Sequence, residues 1–364
     1  MILNFMGPNI SKLTDFVGST VTVSAVDTIW LERAAKHLDR LTKPPGSLGR
    51  LEEIAARLVA IRETEHPVCS KKAIFTLAAD HGVVAEGVSA YPKVVTQQMV
   101  LNFLSGGAAI SVLARHYGIE VIIVDIGVDG EFGDLTGLVK KKIARGTKNM
   151  AREAAMTETE VTQAMRVGLD LAKDAQEQGV TLIGTGEMGI GNTTAASAIT
   201  AVLTGRPAGD VTGRGTGVDD AGFRCKVRAI EQALSLNSPD PHEPMEVLRK
   251  VGGLEIAGLT GLILGAASRR IPVVLDGFIS TAAAAVAFAI EPNARDFMFA
   301  GHLSTEPGHS ALLGFIGLNP LLNLGMRLGE GTGAAVAMSI IEASAKMLNE
   351  MATFESAGVS ESQP

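Results

Sequence analysis

A carboxylate flanked by glycines is the first candidate for chemistry in this sequence. Glu330 lies within residues 328–333 (LGEGTG), directly before a long alanine-rich stretch. Because glycine has no Cβ, the backbone here leaves the carboxylate free to approach a ligand closely. The alternative is that Glu330 only interacts favourably with the N-terminus of the following helix.

A glycine-rich segment in the middle of the chain is suited to binding an anion. Residues 184–189 (GTGEMG) formally match GxGxxG and lead into Gly191 and Asn192, which open a predicted helix. Backbone amides at a helix N-terminus bind phosphate well. As a dinucleotide fingerprint the match is weak, because it comes mid-chain and contains Glu187, and a tight turn is the alternative.

A second glycine-rich segment, residues 213–217 (GRGTG), precedes Asp219 and Asp220. It is typical of a loop that covers a ligand and leads into a helix with an acidic N-cap, or of a plain linker. Lys226 lies about two turns into that helix, within reach of an anion. A lone helical lysine is usually solvated, and the residue taken alone favours that interpretation.

Residues 302–309 (HLSTEPGH) place two histidines beside a carboxylate. The spacing is not HExxH, and Pro307 interrupts any helix that would align the ligands, so we expect no metal here. A catalytic or phosphate-contacting loop is the better interpretation for Ser304. Asp80 and His81 are open to three interpretations: a general base with its orienting acid, a metal pair, or a satisfied pair at a strand end.

Small, aromatic and amide side chains follow one another in residues 89–99 (SAYPKVVTQQM). Such side chains form a plausible wall for a flat heteroaromatic ligand. The chemistry of a helix start explains the segment equally well.

Short β-rich apolar runs alternate with longer helical stretches along the chain. The strand candidates are residues 73–79, 121–126, 180–183, 271–275 and 297–300. The main helix candidates between them are residues 94–117, 158–178, 194–203, 220–234 and 280–290. This alternation favours a parallel, doubly wound sheet with right-handed crossovers. Each strand candidate is followed by a polar, glycine-containing stretch, so we place the active site at the carboxyl edge of the sheet.

Composition narrows the class of protein. The 364 residues include 32 Lys and Arg against 39 Asp and Glu, a net charge of −7, which provides no overall field for nucleic acid or an anionic membrane. Cys69 and Cys225 match no metal spacing, and no disulfide framework is expected. No apolar run reaches the ~18 residues that span a bilayer, and the N-terminus lacks a secretory pattern, so we expect a cytoplasmic protein.

In this order, the segments resemble one family, the nicotinate-nucleotide–dimethylbenzimidazole phosphoribosyltransferases. The resemblance covers almost the whole chain and rests on KPPGSLGRLE (43–52), ADHG (79–82), VSAYP (88–92), GEMGIGNTT (186–194), GRGTGVDD (213–220), GHLSTEPGH (301–309) and LGEGTG (328–333). It implies transfer of 5-phosphoribose from nicotinate mononucleotide to a nitrogen of 5,6-dimethylbenzimidazole, with inversion at the anomeric carbon and release of nicotinate. The product is the lower-ligand nucleotide of cobalamin.

The resemblance also implies roles for individual residues, without a metal or a cofactor. Glu330 matches the family's base, and Glu187 matches a contact to a ribose hydroxyl. The residues that would line the base pocket are Ser89, Tyr91 and Gln98. Gln97 is the alternative to Gln98. The residues that would meet phosphate or nicotinate are Gly189, Gly191, Asn192, Lys226 and Ser304.

The implied fold is α/β, with a Rossmann-like doubly wound parallel sheet in residues 69–329. A small helical domain would be formed from the N- and C-terminal segments, residues 1–68 and 330–364. A homodimer is also implied, in which each N-terminal region lies near the partner's site. Two other functions stay open: an NAD-dependent oxidoreductase that uses the GxGxxG-like loop, and a non-catalytic protein that binds a phosphate metabolite.

Overall fold

A parallel sheet lies at the centre of the computed structural model, which describes residues 21–360. Its strands are β1 (Lys72–Ala79), β2 (Glu120–Gly127), β3 (Leu138–Lys140), β4 (Leu182–Met188), β5 (Val273–Leu275) and β6 (Met298–Ala300). The strand order is β3-β2-β1-β4-β5-β6, and every neighbouring pair is parallel. This order reverses between β1 and β4, where a doubly wound sheet opens a crevice for a ligand. The predicted fold class is confirmed.

Helices surround this sheet and bury it. In chain order they are α1 (Thr28–Arg40), α2 (Arg50–Arg62), α3 (Val95–Leu104), α4 (Ala109–Tyr117), α5 (Glu158–Glu177), α6 (Asn192–Thr204), α7 (Ala208–Val211), α8 (Asp220–Asn237), α9 (Pro244–Val251), α10 (Leu254–Ser268), α11 (Phe278–Ile290), α12 (Pro307–Ile316), α13 (Thr332–Glu350) and α14 (Phe354–Ala357). Short 3-10 helices cover Gly82–Glu86 and Pro292–Phe297. Every residue of β1 is buried, as expected for a strand covered on both faces.

Glycines allow the closest helix pair to form. On α5, a Cβ added at Gly168 would collide with the Gly258 carbonyl of α10. On α10, a Cβ at Gly261 would collide with the Met165 carbonyl of α5. The two backbones therefore pack directly against each other, and α10 is buried almost completely.

Two sequence-based expectations are corrected by the structure, and one strand was not predicted. The single helix predicted over residues 94–117 is two helices, because Gly106 adopts a left-handed conformation (φ 76°) and ends α3. The strand predicted at residues 180–183 continues to Met188, so Gly184 to Glu187 belong to β4 and not to a loop. The edge strand β3 was not predicted, because three residues carry too short a pattern.

The two ends of the described chain meet in a small hydrophobic cluster. It contains Ala34, Leu38, Leu41, Ala55, Val59 and Leu348. Leu41 also forms an antiparallel bridge with Thr353. In contrast, Ile54 and Leu58 of α2 belong to the main core. The division into a small helical and a large α/β domain stays a prediction, and its residues 1–20 and 361–364 lie outside the described range.

Neither a membrane-spanning helix nor a disulfide is present between residues 21 and 360. None of the helices there is long and apolar enough to cross a membrane. Cys69 and Cys225 are free thiols. Burial raises the pKa of the Cys69 thiol to about 12, which makes it unreactive at neutral pH.

Candidate active site

A cavity of about 510 Å³ opens at the carboxyl edge of the sheet, beside the reversal of strand order. Its walls come from the start of α3, the end of β4, the start of α6 and the segments that follow β5 and β6. Residues 327–330 close one side. Six of the residues singled out by sequence line it: Tyr91, Glu187, Gly189, Asn192, Ser304 and Glu330.

Glu330 is held in a strained position. Its φ is 65°, a left-handed conformation that is uncommon for a residue with a side chain. The Thr76 hydroxyl donates to the Glu330 carbonyl at 3.0 Å, and the Ile110 N–H donates to its carboxylate at 3.4 Å. Burial raises the pKa of the Glu330 carboxyl; the Ile110 hydrogen bond opposes this, and the charge of Asp276 adds to it. A carboxylate with a raised pKa is a better proton acceptor at neutral pH.

Asp276, which follows β5, stabilises the turn that contains Glu330 by accepting hydrogen bonds from its backbone. One carboxylate oxygen accepts from the Gly331 N–H at 3.0 Å, and the other accepts from Gly333 and Ala334 at 2.6 and 3.2 Å. Burial raises the pKa of Asp276 to about 7, and these N–H groups oppose the rise. Asp276 belongs to the polar stretch after the strand candidate 271–275, but the sequence indicates no role for it, because its partners lie over fifty positions away.

The Glu187 side chain, at the end of β4, lies against the turn that contains Glu330. Gly329 has a φ of 89°, which favours glycine, and a Cβ there would also lie 2.3 Å from a Glu187 carboxyl oxygen. The Asn192 amide donates to the same carboxyl. Burial raises the pKa of Glu187 to about 8, with further contributions from the charges of Asp276 and Glu255. A protonated Glu187 at neutral pH is able to donate a hydrogen bond to a ligand.

The anion-binding segment lies where α6 begins. Gly191 is the residue before the helix and has a φ of 96°. A Cβ at Gly189 would collide with the Ala79 carbonyl of β1, so this loop packs directly on the sheet. Lys226 is fully buried and donates to the Thr193 hydroxyl at 3.0 Å, and Thr193 lines the cavity. The interpretation of Lys226 as solvated, which the residue taken alone favours, is wrong, because its long side chain reaches inward from α8.

Ser304 is held by a neutral histidine. The Ser304 N–H donates to His309 Nδ1 at 2.8 Å, so Nε2 carries the proton and donates to the Thr281 hydroxyl at 2.9 Å. Burial lowers the pKa of His309 to about 3, with a contribution from His302. Pro307 does not prevent a helix, since it occupies the first turn of α12. In the described chain, no three His, Cys, Asp or Glu side chains are placed to hold a metal ion.

Comparisons with known proteins agree on the family of enzymes that this chain resembles. A family model described as Phosphoribosyltransferase matches residues 23–359. The nicotinate-nucleotide–dimethylbenzimidazole phosphoribosyltransferase of Geobacter sulfurreducens is 57% identical over 93% of this chain and 96% of its own. That of Chloroflexus aggregans is 56% identical over 90% and 93%. A crystal structure of the Thermus thermophilus protein of that name is 48% identical, with a TM-score of 0.87 over 92% of this chain and 100% of its own.

The chain belongs to this phosphoribosyltransferase family. The comparisons therefore favour the transferase over the oxidoreductase and the non-catalytic binding protein. The structure of this phosphoribosyltransferase adds a physical reason against a dinucleotide fingerprint. Gly184 and Gly186 lie inside β4, where a Cβ would be 2.7 Å from Ile74 and 2.5 Å from the Glu330 carbonyl. These glycines serve packing, and only Gly189 and Gly191 lie at the helix entrance.

One wall of the phosphoribosyltransferase cavity is partly apolar. Tyr91, Val95 and Met99 line it from α3 and the segment before it. Ser89 lies at the rim, with its hydroxyl 3.3 Å from that of Thr216. Gln98 is exposed and lies outside the lining.

Neither of the two adjacent glutamines lines the cavity, and the Gln97 amide instead donates to the Glu131 carbonyl at 2.8 Å.

Asp80 and His81 do not form a hydrogen bond with each other. The His81 ring lies 2.7 Å from Glu255, and Asp80 accepts from the Asp129 N–H at 2.8 Å. These two residues support the loops behind the cavity.

Proposed function

We propose that this phosphoribosyltransferase transfers 5-phosphoribose from nicotinate mononucleotide to 5,6-dimethylbenzimidazole. The products are α-ribazole 5′-phosphate and nicotinate. One observation carries the proposal: the buried Glu330 carboxyl, with its raised pKa, shares a cavity with a helix N-terminus backed by the buried ammonium of Lys226. A base and an anion-binding site at the two sides of one cavity suit a phosphorylated sugar donor and a protic acceptor.

The chemistry requires only one base. Nicotinate in the donor carries a positive ring nitrogen and leaves neutral at that atom, so the leaving group needs no acid. The incoming benzimidazole must lose its N–H proton, and Glu330 accepts it. A positioned base of this kind contributes roughly 10²–10⁴-fold. Holding both substrates together in a site shielded from water supplies much of the rest.

The other roles follow from where each residue lies. Glu187 contacts a ribose hydroxyl, and its protonated form at neutral pH suits a donor to that oxygen. The phosphate and nicotinate contacts come from Gly189, Gly191, Asn192, Lys226 and Ser304. Tyr91 and Ser89 bound the benzimidazole pocket. A role for Gln98 stays a sequence-based prediction.

A homodimer in the cytoplasm is the state in which we expect this enzyme to work. Tyr91 (54%) and Leu328 (58%) line the cavity and are exposed, and Val94 (50%) and Leu324 (59%), close to them in the sequence, are exposed as well. Exposed apolar side chains around a site opening, here called the apolar rim, are typical of a surface that another chain covers. A second copy at this rim would shield the site from water.

The test is a reaction with purified protein, nicotinate mononucleotide and 5,6-dimethylbenzimidazole, without metal or NAD. Chromatography and mass spectrometry follow nicotinate and α-ribazole phosphate. We expect equal amounts of the two products. Binding of both substrates without either product would contradict the proposed transfer and favour a binding protein.

A further inference from the structure

The loop of residues 213–217 separates two cavities. Gly215 and Thr216 line the active-site cavity, whereas Gly213, Arg214 and Gly217 line a neighbouring cavity of about 540 Å³. Glu306 and Arg327 border both. The position of this loop therefore sets the shape of the active site on the side where the phosphate is proposed to bind.

Gly215 is held at both of its backbone polar groups. Its N–H donates to a Glu306 carboxylate oxygen at 3.0 Å, and its carbonyl accepts from the Arg327 guanidinium at 2.9 Å. A Cβ on Gly215 would lie 2.8 Å from Lys226 Nζ and 2.7 Å from the Thr193 hydroxyl. The loop backbone thus lies directly against the buried ammonium, and Glu306 and Arg327 keep it there.

The charge of Glu306 also acts on Lys226. Burial lowers the pKa of this lysine to about 8, and the negative charge of Glu306 opposes the decrease. The second carboxylate oxygen of Glu306 is buried and has no hydrogen-bond partner in the described residues. An unsatisfied buried acceptor destabilises the fold, so a carboxylate at this position needs a functional reason.

We propose that Glu306 is a positioning residue for the phosphate of the donor, acting through the Gly215 N–H and the Lys226 ammonium. The inference rests on the proposed function, and it adds a residue that does not itself contact the substrate. A carboxylate in direct contact with a phosphate would repel it. Through Gly215, the same carboxylate instead keeps the loop closed against the cation that binds the phosphate.

Two substitutions at one position separate this role from a general structural one. Glu306→Gln keeps an oxygen for the Gly215 N–H, and Glu306→Ala removes it. We expect Glu306→Ala to raise the KM for nicotinate mononucleotide about tenfold or more and to leave the KM for 5,6-dimethylbenzimidazole within about twofold. Glu306→Gln keeps the Gly215 hydrogen bond but removes the negative charge that favours the Lys226 ammonium, so its KM for nicotinate mononucleotide should lie between those of the wild type and Glu306→Ala. Thr305→Ala is the matched control, since Thr305 lines only the second cavity and should change neither KM.

A donor without the phosphate tests the mechanism directly. With nicotinate riboside, Glu306→Ala and the wild type should react equally well, because the loop then has no phosphate to position. An equal loss with both donors, or equal KM increases in the Gln and Ala variants, would overturn the proposal. Calorimetric titration of nicotinate mononucleotide into each variant gives the same comparison without turnover. It therefore separates a failure of this inference from a failure of the proposed reaction.

Discussion

Glu187, Asp276 and Glu330 interact electrostatically at the active site, and their environments give them different roles. Glu187 has a pKa of about 8 and is mostly protonated at pH 7, whereas Asp276, at about 7, is held by three backbone N–H groups. The pKa of Glu330 is also raised, and its carboxylate accepts from the Ile110 N–H at 3.4 Å. Where the environments of neighbouring acids give them different pKa values, one acid can donate a hydrogen bond while another acts as the base.

At the residue scale, the buried Lys226 predicts an alkaline limit to donor binding. Its folded pKa of about 8 lies below the ordinary 10.5, so the free enzyme loses this positive charge as the pH rises through about 8. We expect kcat/KM for nicotinate mononucleotide to fall there. Lys226→Arg keeps its charge and should move its share of this decrease to higher pH. Glu187 loses its proton in the same pH range, so nicotinate riboside, which lacks the phosphate, should show only the smaller decrease that Glu187 causes, equally in both proteins.

Glu330, as the proposed base, predicts that turnover decreases at acidic pH. Glu330 must be ionised to accept a proton, and its pKa lies above the ordinary 4.5. The rate of the bound complex should therefore fall as the pH decreases through a value above 4.5. A pH profile of kcat at saturating substrates measures it, and an acidic limb at or below the ordinary glutamate value would argue against Glu330.

At the element scale, the packing of α5 on α10 gives a prediction of stability. A Cβ at Gly261 collides with the Met165 carbonyl, so Gly261→Ala should destabilise the protein by about 1–3 kcal/mol through overpacking. Gly314 lies in α12 with nothing within 4 Å of its Cβ position. Gly314→Ala is the matched control and should stabilise by about 0.5–1 kcal/mol, as alanine does in an exposed helix. Denaturant unfolding measures both, and equal effects would contradict the packing argument.

Elements with strong local patterns were predicted well, and contacts between distant segments were not. The apolar run of β1 and the capped helix α5 lie within one or two residues of their predicted positions, because burial and capping are visible locally. The Glu330 motif was found because glycines flank it. Asp276 and Glu306 received no role, since each acts on backbone groups that only the tertiary fold brings close. His309 received none because its ring also bonds to the Thr281 hydroxyl, 28 positions away.

At the scale of the whole molecule, the apolar rim at the cavity mouth predicts self-association. We expect sedimentation velocity to give a dimer for the wild type. Leu324→Asp places a charge in the rim and should shift the protein towards monomer and lower its activity. Leu236→Asp is the matched control, because Leu236 is similarly exposed but belongs to α8. A wild-type monomer, or identical behaviour of the two variants, would contradict this assembly.

The turnover of Glu330→Gln tests the central claim most directly. Glutamine has the size of glutamate but cannot accept the benzimidazole proton as a carboxylate does. We predict that this variant binds nicotinate mononucleotide and 5,6-dimethylbenzimidazole with affinities close to those of the wild type, and releases nicotinate at least roughly 10²-fold more slowly. Nicotinate release at a rate near that of the wild type would contradict the assignment of Glu330 as the base.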